Sequence, residues 1–108
     1  MAKSSKGPPL RGQVFDVQLS VGRKPLVVVS NNNRNRALPS VIAARITTAP
    51  KPSIPSIVEI PKGEPVVGRV VCDDVHVVPS ARLLRMRGAF SPSTMRAIEN
   101  GLREALAL

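Results

Sequence analysis

Cations and hydroxyls are the side chains with chemistry to offer in this sequence. Between Arg11 and Lys51 stand seven Lys/Arg residues (Arg11, Arg23, Lys24, Arg34, Arg36, Arg45, Lys51) and a single acid, Asp16. They fall on loops and strand ends around apolar runs, so several can converge on one face. A converged set of cations is a phosphate-binding groove. Thr47 and Thr48 can donate to non-bridging phosphate oxygens, although a Thr pair at a strand end also serves simply as β-former. The amides of Asn31 to Asn35 are a turn by default, and they offer both donor and acceptor to a base edge. His76, the one histidine, sits between Val75 and Val77, where a lone strand histidine is more often packed or solvent-facing than catalytic. Cys72 reads as a small core residue without a redox role. Asp73 and Asp74 could hold a metal only with partners that the sequence does not reveal.

Composition narrows the chemistry further. The 108 residues carry 16 Lys+Arg against 7 Asp+Glu, a net charge of +9. That balance points to a polyanionic partner, nucleic acid before a membrane surface. No apolar run approaches the roughly 18 residues needed to span a bilayer. The basic start, Met1 to Lys6, leads into Gly7-Pro8-Pro9 and not into an apolar signal core, so a cytoplasmic protein without membrane partners is expected. One cysteine excludes an internal disulfide framework, and one histidine excludes zinc sites built from several His and Cys ligands. Trp and Tyr are absent and only Phe15 and Phe90 are aromatic, too few rings for a base-stacking platform. Glycine-rich nucleotide loops are missing too, so no cofactor is expected. A single imidazole cannot be both acid and base. If this protein cuts a nucleic acid, arginines, lysines and hydroxyls must carry the work.

These groups need elements to position them. Residues 1–10 are basic and proline-containing and read as a disordered tail, leaving one domain over 11–108. Phe15, Val17 and Leu19 alternate with Asp16 and Gln18, the pattern of a half-buried strand. Ser20-Val21-Gly22 is a tight turn into Leu26-Val27-Val28-Val29, a buried β-branched run. Asn31 to Arg36 is a polar loop before a third strand, Val41 to Thr47. Three prolines (Pro50, Pro52, Pro55) make Thr48 to Pro55 an extended linker. Ile57 to Ile60 is a short strand, Lys62 to Pro65 a turn, and Val66 to Val78 one or two further strands. Pro79-Ser80 opens a short helix over Ala81 to Leu84, and Gly88 breaks the pattern. Ser91 then caps a terminal helix that has Pro92 at its first position. Met95, Ile98, Leu102 and Leu106 form its apolar stripe, and Glu99 and Arg103 are spaced to pair on its wet side. The fold class is mainly β with helices (α+β), a small curved barrel or half-open sheet with a C-terminal helix.

Several short patches, taken in order, sharpen this picture. Arg11-Gly12-Gln13-Val14 opens the domain. Arg23-Lys24-Pro25-Leu26-Val27-Val28-Val29-Ser30-Asn31-Asn32 follows, with Asn35 beyond it. Then come Arg45-Ile46-Thr47-Thr48 and the proline-bounded Ile57-Val58-Glu59-Ile60. Cys72-Asp73, Arg82-Leu83, Gly88, Phe90-Ser91 and Met95 continue the series. From Arg11 to Leu108 the succession resembles the MazF/PemK family of toxins from bacterial type II toxin–antitoxin pairs. No single motif is specific, but their order and spacing are.

The resemblance implies an SH3-like, PemK-type barrel and a metal-independent endoribonuclease cutting single-stranded RNA at short sequences. It puts catalysis on Lys24 and Thr47. Lysine stands at Lys24 where the family has arginine, with Arg23 one residue earlier as a second candidate. Ser30, Asn31, Arg34, Arg36, Arg45, Thr48 and His76 are the expected RNA contacts, and Asp73 is structural or a base contact. The short Ser20-Val21-Gly22 loop has no counterpart to an acidic helper that many members carry there. A two-fold homodimer and a cognate acidic antitoxin, MazE-like, are implied as partners. The chemistry is sound without a metal, since RNA carries its own 2′-OH nucleophile. Cations and hydroxyl donors can align it and neutralise the phosphorane, leaving 2′,3′-cyclic phosphate and 5′-OH ends. Two alternatives stay open: a non-catalytic basic RNA-binding β-module, and a gyrase-poisoning toxin of the CcdB kind, which relies on a tryptophan that this chain lacks.

Overall fold

Strand-forming residues dominate the chain, and in the computed structural model, which describes residues 7–108, they build one antiparallel sheet. The strands are β1 (Gln13–Leu19), β2 (Gly22–Val28), β3 (Ser40–Thr47), β4 (Ile57–Glu59), β5 (Arg69–Pro79) and β6 (Leu83–Ala89). They are ordered β4-β5-β3-β2-β1-β6. Two helices complete the fold, α1 (Asn32–Ala37) and α2 (Pro92–Leu106). Most of the expected 1–10 tail, residues 1–6, lies outside the described residues. Leu10 is tied to the start of β1, its amide donating to Gln13 Oε1 at 2.8 Å.

The sheet is apolar on both faces, which explains the unbroken Leu26–Val29 run. One face places Val14, Val27, Ala44, Ile46, Val70 and Cys72 under Phe90, Met95 and Ile98. The other gathers Val17, Leu26, Val28, Val41, Ala43 and Val78. Strand β5 serves both. Opposite the single Ala44–Arg45 step of β3 stand three residues of β5, Cys72, Asp73 and Asp74. This bulge reverses the alternation, so Val70 and Cys72 face α2 whereas His76 and Val78 share the opposite face with Ala43 and Val41.

Helix α2 begins as its sequence dictates, with Ser91 Oγ accepting from the Thr94 amide and Pro92 in the first turn. The Lys62–Pro65 turn locks this start. Glu64 Oε2 accepts from Ser91 Oγ at 2.7 Å and from the Thr94 hydroxyl. Those hydrogen bonds, Thr94's first, hold the Glu64 carboxyl below its ordinary pKa despite some desolvation. At Gly101 the helix packs so closely that a Cβ would lie 2.7 Å from Cys72 Sγ. Burial, aided by Asp73, pushes the Cys72 thiol up to about 11.

Four local expectations are corrected. Asn31–Arg36 is not a loop: Asn31 caps α1, its Oδ1 accepting from the Asn33 amide at 2.7 Å. Only Ser80–Arg82 turns helically where Ala81–Leu84 was expected, and Leu83 onward is β6. Leu106 is more than half exposed, so the stripe of α2 ends before it. Glu99 pairs not with Arg103 but with Arg11, at 2.9 Å, a contact that joins α2 to the start of the sheet.

Candidate functional site

The β2–β3 ladder pairs Leu26 with Arg45, Val27 with Ala44 and Val28 with Ala43, and stops there. The next residue of β2 is Pro25, which has no amide hydrogen to give. Carrying the same register onward puts Lys24 across from Thr47 and Arg23 across from Thr48. Where the strands part, a pocket of about 200 Å³ opens, lined by Arg23, Lys24, Pro25, Ile46, Thr47, Thr48 and Val67. Four candidates, contributed by segments far apart in sequence, therefore meet in one hollow. Arg23 is exposed and Lys24 half-buried, in keeping with adjacent strand residues pointing to opposite sides.

Thr47 is held ready for donation. Its Oγ1 accepts from the Ala49 amide at 3.1 Å, which occupies a lone pair and leaves the hydroxyl proton free for a ligand oxygen. Two residues that sequence reasoning missed hold the threonine's backbone. Arg69, paired with Glu59 at 2.7 Å, donates to the Ala49 carbonyl at 3.3 Å and the Thr48 carbonyl at 3.5 Å. Gly68 has φ +119, and a Cβ there would stand 2.3 Å from the Thr47 carbonyl oxygen. Its only trace in the sequence is a glycine interrupting an apolar run, a known sign of close backbone approach.

The other candidates divide into two groups. Arg45 lies on the Thr47 face of β3, two residues back, and reaches Asp74 Oδ2 at 3.5 Å. His76 Nε2 is 2.8 Å from Asp74 Oδ1, an ion-pair distance without hydrogen-bond alignment. Ser30, Asn31, Arg34 and Arg36 are not brought to the pocket. Ser30 is buried, its hydroxyl donating to Asn35 Oδ1 at 2.5 Å and accepting from the Ile42 amide at 2.9 Å. Asn31 is the cap of α1. Arg34 donates to the Ser40 carbonyl at 2.8 Å, which fixes it to the far end of β3, about 23 Å from Thr47 at a strand's rise per residue. Arg36 is exposed and donates to Asn33 Oδ1. Among the described residues no three His, Cys, Asp or Glu side chains gather in metal-holding geometry, and no helix is long and apolar enough to cross a membrane.

A second hollow, larger and more apolar, runs beside β6 and α1 and is lined by Phe15, Leu38, Leu83, Leu84 and Met86 among others. Leu38, Leu84 and Met86 are each about half exposed there.

Comparison with known proteins agrees on one group. Residues 10–106 match the family model described as PemK-like, MazF-like toxin of type II toxin-antitoxin system. Endoribonuclease MazF1 of Mycobacterium bovis and Endoribonuclease MazF4 of Mycobacterium tuberculosis are each 39% identical over 100 residues, 93% of this chain and 94% of theirs. A solved mycobacterial endoribonuclease in complex with its cognate antitoxin superposes with a TM-score of 0.89 at 39% identity, covering 93% of this chain and 96% of its own. A MazE–MazF structure from Deinococcus radiodurans shares the fold at a TM-score of 0.79 and 20% identity, covering 94% and 97%.

Proposed function

The chain belongs to the PemK-like, MazF-like toxins of type II toxin–antitoxin systems, and on that premise we propose that it is their endoribonuclease, cutting single-stranded RNA at the Arg23–Lys24–Thr47–Thr48 pocket. Membership sets aside the gyrase-directed and non-catalytic readings. The observation that carries the site is the convergence of two cations and two hydroxyls where β2 and β3 part. The substrate supplies the nucleophile, so the protein's task is alignment and charge stabilisation. Lys24 neutralises the phosphorane as a point charge, lacking the planar fork of a guanidinium. Thr47, its oxygen fixed by the Ala49 amide, donates to a non-bridging oxygen, and Thr48 assists. Arg23, on the outer side, holds the flanking backbone. The reaction needs no metal and leaves a 2′,3′-cyclic phosphate and a 5′-OH.

Partners follow from charge and exposed apolar surface. A net charge of +9 suits an acidic antitoxin segment competing with RNA, and a relative in this fold is solved with its cognate antitoxin. The apolar hollow beside β6 is where we place a second copy, making a symmetric dimer. No membrane-spanning helix occurs among the described residues, in keeping with action on cytoplasmic RNA.

The test is cleavage of total RNA with EDTA present, followed by end analysis. Thr47→Ala should lower the rate roughly 10²-fold or more, as expected for losing a preorganised donor. Loss of activity in EDTA, or full activity of Thr47→Ala, would overturn the assignment.

A further inference from the structure

Beside the pocket lies a cluster with unspent hydrogen-bonding capacity. Arg45, Asp74 and His76 share the face of Thr47 and Lys24, because the β5 bulge turns Asp74 and His76 toward it. Their side chains are between 30% and 36% exposed, open to a ligand yet partly desolvated. Arg45 Nε and His76 Nε2 are, among the described residues, the two buried side-chain nitrogens without a hydrogen-bond partner. Buried donors left unpaired are costly, so the cluster does not satisfy itself internally, and it is the exposed remainder of the three side chains that meets a ligand. A bare phosphate is a poor occupant, since the Asp74 carboxylate at the centre would repel it.

The order of the groups selects among bases. Asp74 turns one oxygen to Arg45 and the other to His76, giving the sequence donor, acceptor, donor. In single-stranded RNA the Watson–Crick edge is open to such reading. Cytosine offers donor, acceptor, acceptor; guanine offers acceptor, donor, donor; adenine offers a donor and an acceptor. Uracil alone runs acceptor, donor, acceptor through O4, N3–H and O2. Arg45 precedes Thr47 by two residues on one strand, about 6.6 Å at a strand's rise, which puts the cluster one nucleotide from the scissile phosphate.

We propose that Arg45, Asp74 and His76 form a uracil-reading subsite that takes the nucleotide flanking the cut. Asp74 accepts from N3–H while Arg45 and His76 donate to the two carbonyls. This proposal rests on the endoribonuclease reading of the adjoining pocket.

The experiment uses the full chain and an oligoribonucleotide pool randomised at both positions flanking the cut, with products sequenced. Uracil should exceed cytosine by about ten-fold or more at one of them, the scale of a good multi-bond base contact. Asp74→Asn should shrink that ratio to within about two-fold, since an amide cannot present a purely accepting centre. With wild-type protein, N3-methyluridine at the preferred position should lower kcat/KM by about ten-fold or more, while 5-methyluridine should be cut normally. Cleavage without uracil preference at either position, or normal cutting of N3-methyluridine, overturns the subsite and leaves the nuclease standing. A wild-type chain that cuts nothing in the pool overturns the nuclease and the subsite together.

Discussion

Replacing Gly68 by alanine tests how tightly the backbone fixes Thr47. The new Cβ would stand 2.3 Å from the Thr47 carbonyl oxygen and 3.0 Å from its carbon, at a residue with φ +119. The obstacle is main chain, so no rotamer change relieves it. Restoring ordinary contact needs a relative shift on the order of 1 Å, and a misplacement of that size in a catalytic group costs up to about 10²-fold in rate. The strained φ adds about 1–3 kcal/mol of destabilisation, which a domain with about 5–15 kcal/mol of stability survives. Gly68→Ala should therefore stay folded by circular dichroism and bind an uncleavable strand, with 2′-deoxyribose at the cut, about as well as the wild type. Its single-turnover cleavage rate should fall by about 10²-fold. A folded Gly68→Ala protein cutting at the normal rate would refute the claim that this contact sets the threonine's position.

Other perturbations probe the supports around the site. Because hydrogen bonds from Thr94 and Ser91 lower the Glu64 pKa from 4.5, its stabilising contribution is complete above that ordinary value and is lost as pH falls through the depressed one. Glu64→Gln should lower Tm at neutral pH and flatten its decline in acid, as read by thermal melts across pH. Cys72, with its thiol pushed up to about 11, should resist iodoacetamide in the folded protein at about pH 8 and react promptly in denaturant. Gly101→Ala would drive a Cβ to 2.7 Å from Cys72 Sγ and 2.8 Å from Val58 Cγ2, costing about 1–3 kcal/mol by overpacking, visible as a lower urea midpoint. Met86→Glu, placed in the apolar hollow, should shift the light-scattering mass from about 23 kDa, twice 11.5 kDa, to the monomer.

How legible each part was depended on whether its signal is local. Strand β1 announced itself through alternation, β2 through its unbroken β-branched run, and α2 through Ser91-Pro92 and the Met95–Ile98 spacing. That Lys24 and Thr47 belong together came from the family resemblance, which rests on short, ordered patches at strand ends; the residues alone left the Thr pair readable as β-formers. Strand β6 was not legible, since Leu84 to Arg87 is exposed on both sides and such an edge has no periodicity to read. Helix α1 buries only Asn35, so it has no apolar stripe, and its signal was confined to one capping asparagine. The Glu99–Arg103 pair failed because a tertiary partner, Arg11, outcompeted a local one. Gly68 and Arg69 act on the Thr47–Ala49 backbone across a sheet register, which no window of sequence contains.

The bulge in β5 separates what the protein must keep from what it can change. On one side of Cys72–Asp74, Val70 and Cys72 are committed to the packing beneath α2; on the other, Val78 anchors the opposite core. The residues between are not spoken for by either core, yet Asp74 and His76 look onto the face of the sheet that carries Arg45 and Thr47 only because the strand has been cranked over by the extra length. Recognition can therefore drift, by substitution at these positions, without a compensating change in the interior. One inserted or deleted residue would do the reverse, exchanging every inward and outward side chain from there to Pro79. The lineage is free to rewrite the letters at this bend, but not to change their number.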